Sequence, residues 1–146
     1  VQIGRVEKIK TGSDITVVSY GSTLKIVEKA AIELEKFNIS CEIIDCQSLI
    51  PFDLGNNICE SIKKTNRVII IDEDFSGGAS AYILDNLINK QNIYDYLDSK
   101  PHTLSAQDHR PAYGTDGDYF SKPSVDEVFN RIYSIMNELN PKKYPI

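Results

Sequence analysis

Three consecutive carboxylates are the first candidates for chemistry in this chain. Asp72, Glu73 and Asp74 directly follow the apolar run Val68–Ile71, and the glycine pair Gly77–Gly78 comes soon after them. Closely spaced carboxylates can act as a general acid and base or as Mg²⁺ ligands, because their repulsion raises one pKa and Mg²⁺ prefers oxygen. Glycines at the start of a helix can let the backbone approach a phosphate.

The spacing of these residues argues against a self-sufficient site. Alternate side chains of a strand point to opposite faces, so only Asp72 and Asp74 would converge. Helix capping or a polar contact is therefore favoured, and Glu73 is the best candidate to face a partner. The carboxylates would repel a phosphate, and the chain has neither a G-x-G-x-x-G nor a P-loop motif. The turn 21–23 is also too sparse for a dinucleotide fingerprint.

The histidines and serines do not supply a second site. His102 and His109 are the only histidines, and two histidines without a nearby cysteine do not favour a metal centre. The run 108–110 could pair a base with an orienting carboxylate, but adjacent residues rarely orient each other in that way. A solvent-facing or interface loop is the default there. The serines at the ends of the predicted strands lack the G-x-S-x-G context of a nucleophile.

The cysteines predict a reducing environment rather than a disulfide framework. Cys41, Cys46 and Cys59 are odd in number and irregular in spacing. Cys41 and Cys46 fall in one predicted strand at an odd separation, so they face opposite sides and are poorly placed to share a metal. We expect buried thiols that pack as small hydrophobes, in a compartment such as the cytoplasm. No catalytic, cofactor-binding or metal-binding residue is assigned.

Length and composition predict one domain, residues 1–146. The chain is 41% hydrophobic and 25% charged, which is ordinary for a globular protein with a core. Its net charge of −5 and the lack of a basic cluster argue against nucleic acid. No apolar run approaches the roughly 20 residues of a membrane span. Since the chain opens at Val1 without a methionine, we expect a processed chain or a piece of a longer one.

Hydrophobic periodicity predicts strands that alternate with helices. The strands are predicted at 15–20, 40–46, 68–71 and 100–105, with an antiparallel edge strand within 4–11. The helices are predicted at 24–37, 54–66, from 79 onward and 125–139, with N-caps at Ser22 or Thr23, Asp53 and Ser124, and a C-cap at Asn38. This alternation is typical of a three-layer α/β fold, a mostly parallel open sheet with helices on both faces.

The stretch 106–123 has neither a helical nor a strand period. Loops of this length in a compact domain are usually functional or disordered. Tyr113, Tyr119 and Phe120 argue against disorder, because disordered segments are poor in aromatic residues. An ordered, aromatic surface carried on a loop is typical of an interaction module.

Three segments together resemble a known family, the C-terminal domain of transketolase-like thiamine diphosphate enzymes. The family's opening G-x-D-x-T-[VI]-V-[ST]-[YW]-G is similar to GSDITVVSYGS at 12–22. The segment 45–53 is similar to the family's D-x-R-[TS]-L-x-P-[LF]-D, with Gln47 in place of arginine. The segment 64–73 is similar to its K-T-[GN]-R-[VL]-[VL]-[VI]-x-x-E. Order and spacing hold from about residue 4 to 139. The chain most resembles the E1 component of 2-oxoacid dehydrogenase complexes, as a β subunit or, from its 108–123 stretch, a fused α/β chain.

The resemblance implies a non-catalytic assembly and docking domain. In this family thiamine diphosphate and Mg²⁺ lie between two preceding domains, so neither is expected on this chain, which alone is expected to be inactive. The implied partners are other E1 domains or subunits, in a dimer or heterotetramer, and the E2 acyltransferase. The parent would decarboxylate pyruvate or a branched-chain 2-oxoacid and acylate lipoamide on E2.

Other assignments stay open at this point. They are the C-terminal domain of a transketolase or another thiamine enzyme, a free-standing flavodoxin-like ligand-binding domain, and an E2-docking module without a role in dimerisation. A domain separated from its parent should expose an apolar patch and self-associate. The interface candidates are Glu73, Gly77, Gly78, Tyr82, His109, Arg110, Tyr113, Tyr119 and Phe120.

Overall fold

The computed structural model describes residues 3–75, 78–108 and 120–146, with the backbone alone at 74, 75, 107, 108, 120 and 121. The strands are β1 (Glu7–Lys10), β2 (Ile15–Ser19), β3 (Cys41–Asp45), β4 (Val68–Phe75), β5 (His102–Asp108) and β6 (Phe120–Ser121). The helices are α1 (Thr23–Glu35), α2 (Asn57–Thr65), α3 (Ala79–Asp85) and α4 (Val125–Leu139). A π-helical turn (Asn86–Lys90) extends α3, and a 3₁₀ helix (Ile93–Tyr96) follows it.

The sheet has the order β1-β3-β2-β4-β5-β6, with β2 and β4 at its centre. The strands β3, β2, β4 and β5 are parallel, whereas β1 pairs antiparallel with β3 and β6 antiparallel with β5. The predicted fold class, with its antiparallel edge strand, is confirmed. The two-residue strand β6 was not predicted, because two residues carry no period. From β2 the chain continues to β3 on one side of β2, and from β3 it crosses back to β4 on the other side of β2. The strand order therefore reverses between β2 and β4, at their carboxyl ends.

Each face of the sheet has its own hydrophobic core. Ile69 packs on the face covered by α1 and α4, whereas Ile70 packs on the face covered by α2 and α3. Both side chains are fully buried, as expected for a parallel strand covered on both sides. The run Val68–Ile71 is therefore the central buried strand that its composition predicts. Because β4 continues to Phe75, the acidic residues lie within the strand and not in a turn after it.

Helix α2 begins later than its sequence predicts. Its first residue is Asn57, and Leu54 lies outside it with 61% of its surface exposed, so the prediction of a helical Leu54 was wrong. The carboxylate of Asp53 still accepts the backbone N–H groups of Asn57 (3.0 Å) and Ile58 (2.9 Å). Asp53 therefore satisfies the first donors of the helix, as predicted, from a position outside the helix.

The start of α1 corrects a predicted cap. Ser22 occupies the N-cap position, but neither it nor Thr23 caps the helix through its side chain. The Ser22 hydroxyl donates to Glu73, and the Thr23 hydroxyl donates to a backbone carbonyl. The helix end agrees with the prediction, because Asn38 has a left-handed φ of 62° and its N–H donates into the last turn.

Helix α4 begins with the predicted cap and packs against the end of α1. Ser124 Oγ accepts the Glu127 N–H at 3.1 Å, and the Glu127 carboxylate accepts the Ser124 N–H at 3.3 Å, which is a capping box. Phe37, predicted on the inner face of α1, lies just beyond that helix and is half exposed. It packs edge-on against Phe129 and Tyr133 of α4.

A bulge in β1 turns two lysines to opposite faces of the sheet. The pairing register with β3 shifts between Lys8 and Lys10, whereas an even separation in a regular strand would place both on one face. Lys10 forms an ion pair with Glu35 of α1. Lys8 lies 3.7 Å from Glu42, on the face that α2 covers. The bulge thus supplies one cation to each layer of helices.

Candidate functional site

Asp72 is a structural carboxylate at the carboxyl edge of the sheet. It is fully buried, and it accepts hydrogen bonds from Tyr20 Oη at 2.5 Å and from the Ser80 backbone N–H at 2.7 Å. Ser80 is the second residue of α3, so Asp72 satisfies a free donor at the start of that helix. The predicted helix-capping role is confirmed for this residue. The predicted convergence with Asp74 concerns a side chain outside those described.

The carboxyl-edge cluster consists of Ser22, Glu73 and Lys122. The Ser22 hydroxyl donates to Glu73 Oε2 at 2.6 Å, and Lys122 Nζ donates to Ser22 Oγ at 2.7 Å. Lys122 Nζ also lies 3.8 Å from Glu73 Oε2, and both charged side chains are partly exposed. Exposed ion pairs contribute about 0–1 kcal/mol. The cluster can therefore exchange its partners for those of a neighbouring surface at little cost.

The turn after β2 presents a carboxylate to an incoming phosphate. Gly21 has φ +64°, and a Cβ at this position would lie 3.4 Å from Glu73 Oε1. The hydroxyls of Ser22 and Thr23 are already engaged within the protein. The described part of this turn does not match the chemistry of a phosphate cradle, which needs free donors and a positive potential.

Two further interface candidates lie at the start of and within α3. The Gly78 carbonyl accepts the Ala81 N–H at 3.1 Å in the first turn of the helix. Tyr82 is 39% exposed and packs edge-on against Phe52 at 6.4 Å between ring centroids. Tyr82, Phe52 and Leu54 line a shallow cavity of about 300 Å³. We call these three residues the docking face.

The remaining interface candidates fall on the stretches that the structure leaves undescribed. Gly77, His109, Arg110, Tyr113 and Tyr119 lie outside the described residues, and for Phe120 only the backbone is described, in β6. The possible base at 108–110 and the proposed aromatic loop surface therefore stay predictions.

His102 is a structural residue at the amino end of β5. Burial, and next the positive charges of Arg131 and Lys100, lower the pKa of its imidazole below 6.5. The ring is therefore neutral at pH 7. Its backbone pairs with Ile69 of β4, which places it at the opposite edge of the sheet from the carboxyl-edge cluster.

The cysteines are buried free thiols, as predicted. Cys41 packs in the core of the α1–α4 face and Cys46 in the core of the α2–α3 face. Burial, and next the charge of Asp14, raise the pKa of Cys41 to about 12. Burial also raises the pKa of Cys46 and Cys59. All three are therefore protonated near neutral pH and poor nucleophiles.

The first residues of two of the three family motifs lie at the amino edge of the sheet. Gly12 lies so close to β3 that a Cβ there would come within 2.2 Å of the Cys41 backbone carbon. The carboxylate of Asp14 accepts the Ser40 N–H at 2.7 Å, and its carbonyl accepts from Arg67 Nη1 at 2.9 Å. Each motif position here joins two segments of backbone.

Hydroxyl groups continue this arrangement under α2. Thr16 Oγ1 lies 2.7 Å from the hydroxyls of both Ser61 and Thr65, and Thr65 Oγ1 also donates to the Arg67 carbonyl at 3.0 Å. The amino-edge network is the set Gly12, Asp14, Thr16, Glu42, Ser61, Lys64, Thr65 and Arg67. Most of its polar groups have a hydrogen-bond partner, with Arg67 Nε as an exception, so the motif residues it contains define architecture rather than chemistry.

Glu42 is the centre of this network. It was not identified as a candidate from the sequence. Its side chain is fully buried, and it accepts from Ser61 Oγ at 2.5 Å, from the Gly12 N–H at 3.2 Å and from Lys64. Burial by itself raises the pKa of Glu42, but these hydrogen bonds and the Lys8 charge together outweigh it and lower the pKa. A charged residue inside the apolar strand Cys41–Asp45 was the signal that could have identified it.

The described residues do not fit the cofactors of the resembled family. Within residues 3–75, 78–108 and 120–146, no group of three or more His, Cys, Asp or Glu side chains could hold a metal ion. A diphosphate needs clustered cations or free backbone donors. The described carboxyl edge instead carries the carboxyl groups of Asp72 and Glu73, and Lys122 is engaged with Ser22 and Glu73. The described carboxyl edge therefore does not match the chemistry that binds thiamine diphosphate.

Comparison with known families decides the assignment. The family description "Transketolase, C-terminal domain" matches residues 4–122, which is most of the chain. The chain belongs to this family. Its Gly12 and Asp14 are thus positions of a transketolase C-terminal domain, as the motifs had predicted. None of the described helices is long and apolar enough to cross a membrane.

Curated relatives of this transketolase C-terminal domain include subunits of two dehydrogenases. A pyruvate dehydrogenase E1 component subunit beta from Rickettsia bellii is 31% identical over 136 residues, 92% of this chain and 41% of that protein. A 2-oxoisovalerate dehydrogenase subunit beta 2 from Arabidopsis thaliana is 38% identical over 92 residues, 62% of this chain and 25% of that protein. The chain thus spans well under half the length of these relatives.

Solved structures support the fold alone, because their sequence identities are low. A split-gene transketolase, described as an inactive β4 tetramer, superposes with a TM-score of 0.66 at 20% identity, over 90% of this chain and 42% of that one. A 2-oxoglutarate:ferredoxin oxidoreductase from Magnetococcus marinus superposes with a TM-score of 0.57 at 17% identity, over 89% of this chain and 19% of that one. Both agree with the three-layer α/β architecture.

Proposed function

We propose that this chain is the C-terminal domain of an E1 component β subunit, or fused α/β chain, of a 2-oxoacid dehydrogenase complex. Residues 1–146 would form one domain of that protein. The observation that carries the proposal is the 31% identity to a pyruvate dehydrogenase E1 β subunit across 92% of the chain. The parent would use thiamine diphosphate and Mg²⁺ to decarboxylate pyruvate or a branched-chain 2-oxoacid, and would acylate lipoamide on E2.

Within that enzyme we assign the chain an assembly and docking role. Polar groups at the start of two family motifs are used in the amino-edge network, which holds β2, β3 and α2 together. The buried thiols are protonated near neutral pH, and Asp72 caps a helix. These assignments give structural roles to the thiols, to Asp72 and to the network residues, which supports a non-catalytic role.

The docking face is the surface that we assign to a second E1 subunit. Tyr82 and Leu54 are exposed apolar side chains beside Phe52, which is nearly buried. Aromatic residues packed around a shallow cavity are typical of the centres of protein interfaces. The partly exposed Glu73 of the carboxyl-edge cluster would serve E2, whose contact segment should then be basic.

Subunit association tests the docking face. In the full-length protein with its α partner, we expect Tyr82→Ser to weaken association about tenfold or more, since an aromatic anchor at an interface contributes 1–2 kcal/mol or more. Tyr94→Ser is the matched control, because Tyr94 is 72% exposed and lies on the 3₁₀ helix outside the docking face. Sedimentation velocity measures both. Equal effects of the two variants would remove the docking face from the proposal without touching the enzyme class.

Substrate use tests the enzyme class. The assembled full-length protein should acylate a lipoyl domain with pyruvate or with 3-methyl-2-oxobutanoate, in a reaction that depends on added thiamine diphosphate. Ketol transfer between sugar phosphates, without acylation by either oxoacid, would instead assign the chain to a transketolase. A full-length protein that binds flavin mononucleotide and uses neither substrate class would support the flavodoxin-like alternative.

A further inference from the structure

A polar cleft between β1 and α2 is not used by the proposed function. It has a volume of about 340 Å³ and lies on the α2 side of the sheet, over the amino half of β3. Its lining includes Val6, Lys8, Glu42, Ile44, Ser61 and Lys64. The size falls within the range of small-molecule sites, about 300–1,000 Å³.

The charges that line this cleft, together with the Lys63 that pairs with its Glu60, sum to one positive charge in excess. Glu42 is the carboxylate at its base, and hydrogen bonds from Lys64, Ser61 and Gly12 occupy its oxygens. Glu60, at the rim, forms an ion pair with Lys63. Two ammonium groups, of Lys8 and Lys64, therefore share one buried carboxylate, and the cleft attracts a single anion.

Lys8 has hydrogen-bonding capacity to spare. Its Nζ lies 3.7 Å from Glu42 Oε1, beyond hydrogen-bond distance, and its side chain is 51% exposed. The β1 bulge turns Lys8 into the cleft while Lys10 pairs with Glu35 on the opposite face. An oxygen ligand could thus accept from Lys8 without displacing any hydrogen bond of Glu42.

We propose that this cleft binds a small organic carboxylate with a short aliphatic tail. The carboxylate lies between the ammonium groups of Lys8 and Lys64, and the tail lies against Val6 with Ile44 behind it. Val6 is partly buried against the core that contains Ile44, so the tail continues an apolar surface. This assignment depends on the geometry of the described residues and not on the proposed enzyme class.

Butyrate is the probe that tests the assignment, in the full-length protein. Followed by NMR of the isoleucine and valine methyl groups, butyrate should shift the Val6 and Ile44 signals with a dissociation constant on the order of millimolar, as expected for six heavy atoms. n-Butylamine, with the same tail and the opposite charge, should not bind. Lengthening the tail from acetate to butyrate should tighten binding roughly two- to fourfold per methylene.

Two lysine variants separate this site from general attraction to surface cations. Lys8→Met should weaken butyrate binding at least fivefold, and Lys8→Arg should restore it. Lys10→Met is the matched control, because Lys10 is two residues away on the other face of the sheet, and it should leave the affinity unchanged. The proposal is overturned if butyrate does not shift Val6 and Ile44, if butylamine binds equally well, or if Lys8→Met and Lys10→Met have the same effect.

Discussion

At the amino edge of the sheet, polar side chains surround a fully buried carboxylate, whereas at the carboxyl edge both charged members of the cluster are partly exposed. Glu42 is fully buried and bonded to three groups. Glu73 has one serine and one partly exposed lysine as its recorded partners. Both are glutamates within a parallel strand, so residue type does not distinguish them. The two glutamates differ in burial and in the number of their hydrogen-bond partners.

The family motifs reach both edges, because 12–22 and 64–73 each run the length of a central strand and 45–53 begins at the end of β3. At the amino edge, the fully buried Glu42 needs hydrogen-bond donors around it, so the residues that contact it are restricted in type. An exposed ion pair contributes little to folding, so the residues at the carboxyl edge are free to serve a partner. We therefore assign an architectural role to the amino edge and a docking role to the carboxyl edge.

Glycine substitutions should show the largest contrast between the two edges. Gly12→Ala should destabilise the fold by about 2–4 kcal/mol, because its Cβ would come within 2.2 Å of the Cys41 backbone, which cannot rotate away. Gly21→Ala, at the carboxyl edge, should cost about 1 kcal/mol, the usual cost of a left-handed conformation in alanine. Urea unfolding followed by circular dichroism measures both. Equal losses would show that the amino edge can relax.

Replacing the buried Glu42 should destabilise the fold by an amount that depends on pH. Glu42→Gln should cost about 1–3 kcal/mol at pH 7, because it weakens hydrogen bonds to a buried, charged acceptor. The folded-state pKa of Glu42 is lowered below the unfolded value of 4.5. Its contribution is therefore complete above about pH 4.5 and is lost as the pH falls through the folded-state pKa. The stability difference between wild type and Glu42→Gln should shrink over that acidic range.

Glu60→Gln is the control for Glu42→Gln. Glu60 is a residue of α2 that lines the same cleft as Glu42. It is exposed, and its ion pair within the described part of the chain is with Lys63, three residues later. We expect a change of no more than about 0.5 kcal/mol, as for other surface pairs. A loss from Glu60→Gln as large as that from Glu42→Gln would contradict the assignment of Glu42 as the centre of the network.

Several features of the fold were predictable because they depend on local patterns. The buried run Val68–Ile71, the capping box of Ser124 and the left-handed Asn38 each follow from residue type and neighbours. The start of α2 was not predictable from Asp53, because a carboxylate can cap a helix from several residues before it. Helix boundaries depend on loop geometry that periodicity does not contain.

The candidate site was less predictable than the fold. The sequence drew attention to the acidic run 72–74 and placed Asp72 and Glu73 on opposite faces of the strand, but it did not identify their partners, Tyr20 and Ser22. Glu42 and Lys8 come together only because β1 pairs with β3 and contains a bulge. Pairing register and bulges are tertiary features, so a cleft built on them leaves no motif in the sequence.

Disrupting the carboxyl-edge cluster should have little effect on folding. Ser22→Ala removes the hydroxyl that donates to Glu73 and accepts from Lys122. We expect the free energy of unfolding to change by no more than about 0.5 kcal/mol, as for other exposed polar contacts. Thr16→Ala is the comparison at the amino edge and should cost more, since it leaves the Ser61 and Thr65 hydroxyls buried without their shared partner. If Ser22→Ala costs as much, the cluster is structural and not a free surface.

The smallest expected effect on stability comes from protonation of His102. Its titration tests whether the amino edge excludes water at β5 as it does at β3. Because burial is the largest cause of its lowered pKa, the folded protein should titrate below 6.5, while in urea the ring should titrate near 6.5. The unfolded state then binds the proton more readily, so wild type should lose stability relative to His102→Gln as the pH falls from above 6.5 towards the folded-state pKa. NMR of the imidazole protons gives both midpoints. Added salt screens the charges of Arg131 and Lys100 but not burial, so most of the lowering should persist at 0.5 M NaCl; a midpoint that returns to 6.5 in salt would show that the ring is solvated and that this end of the edge is open.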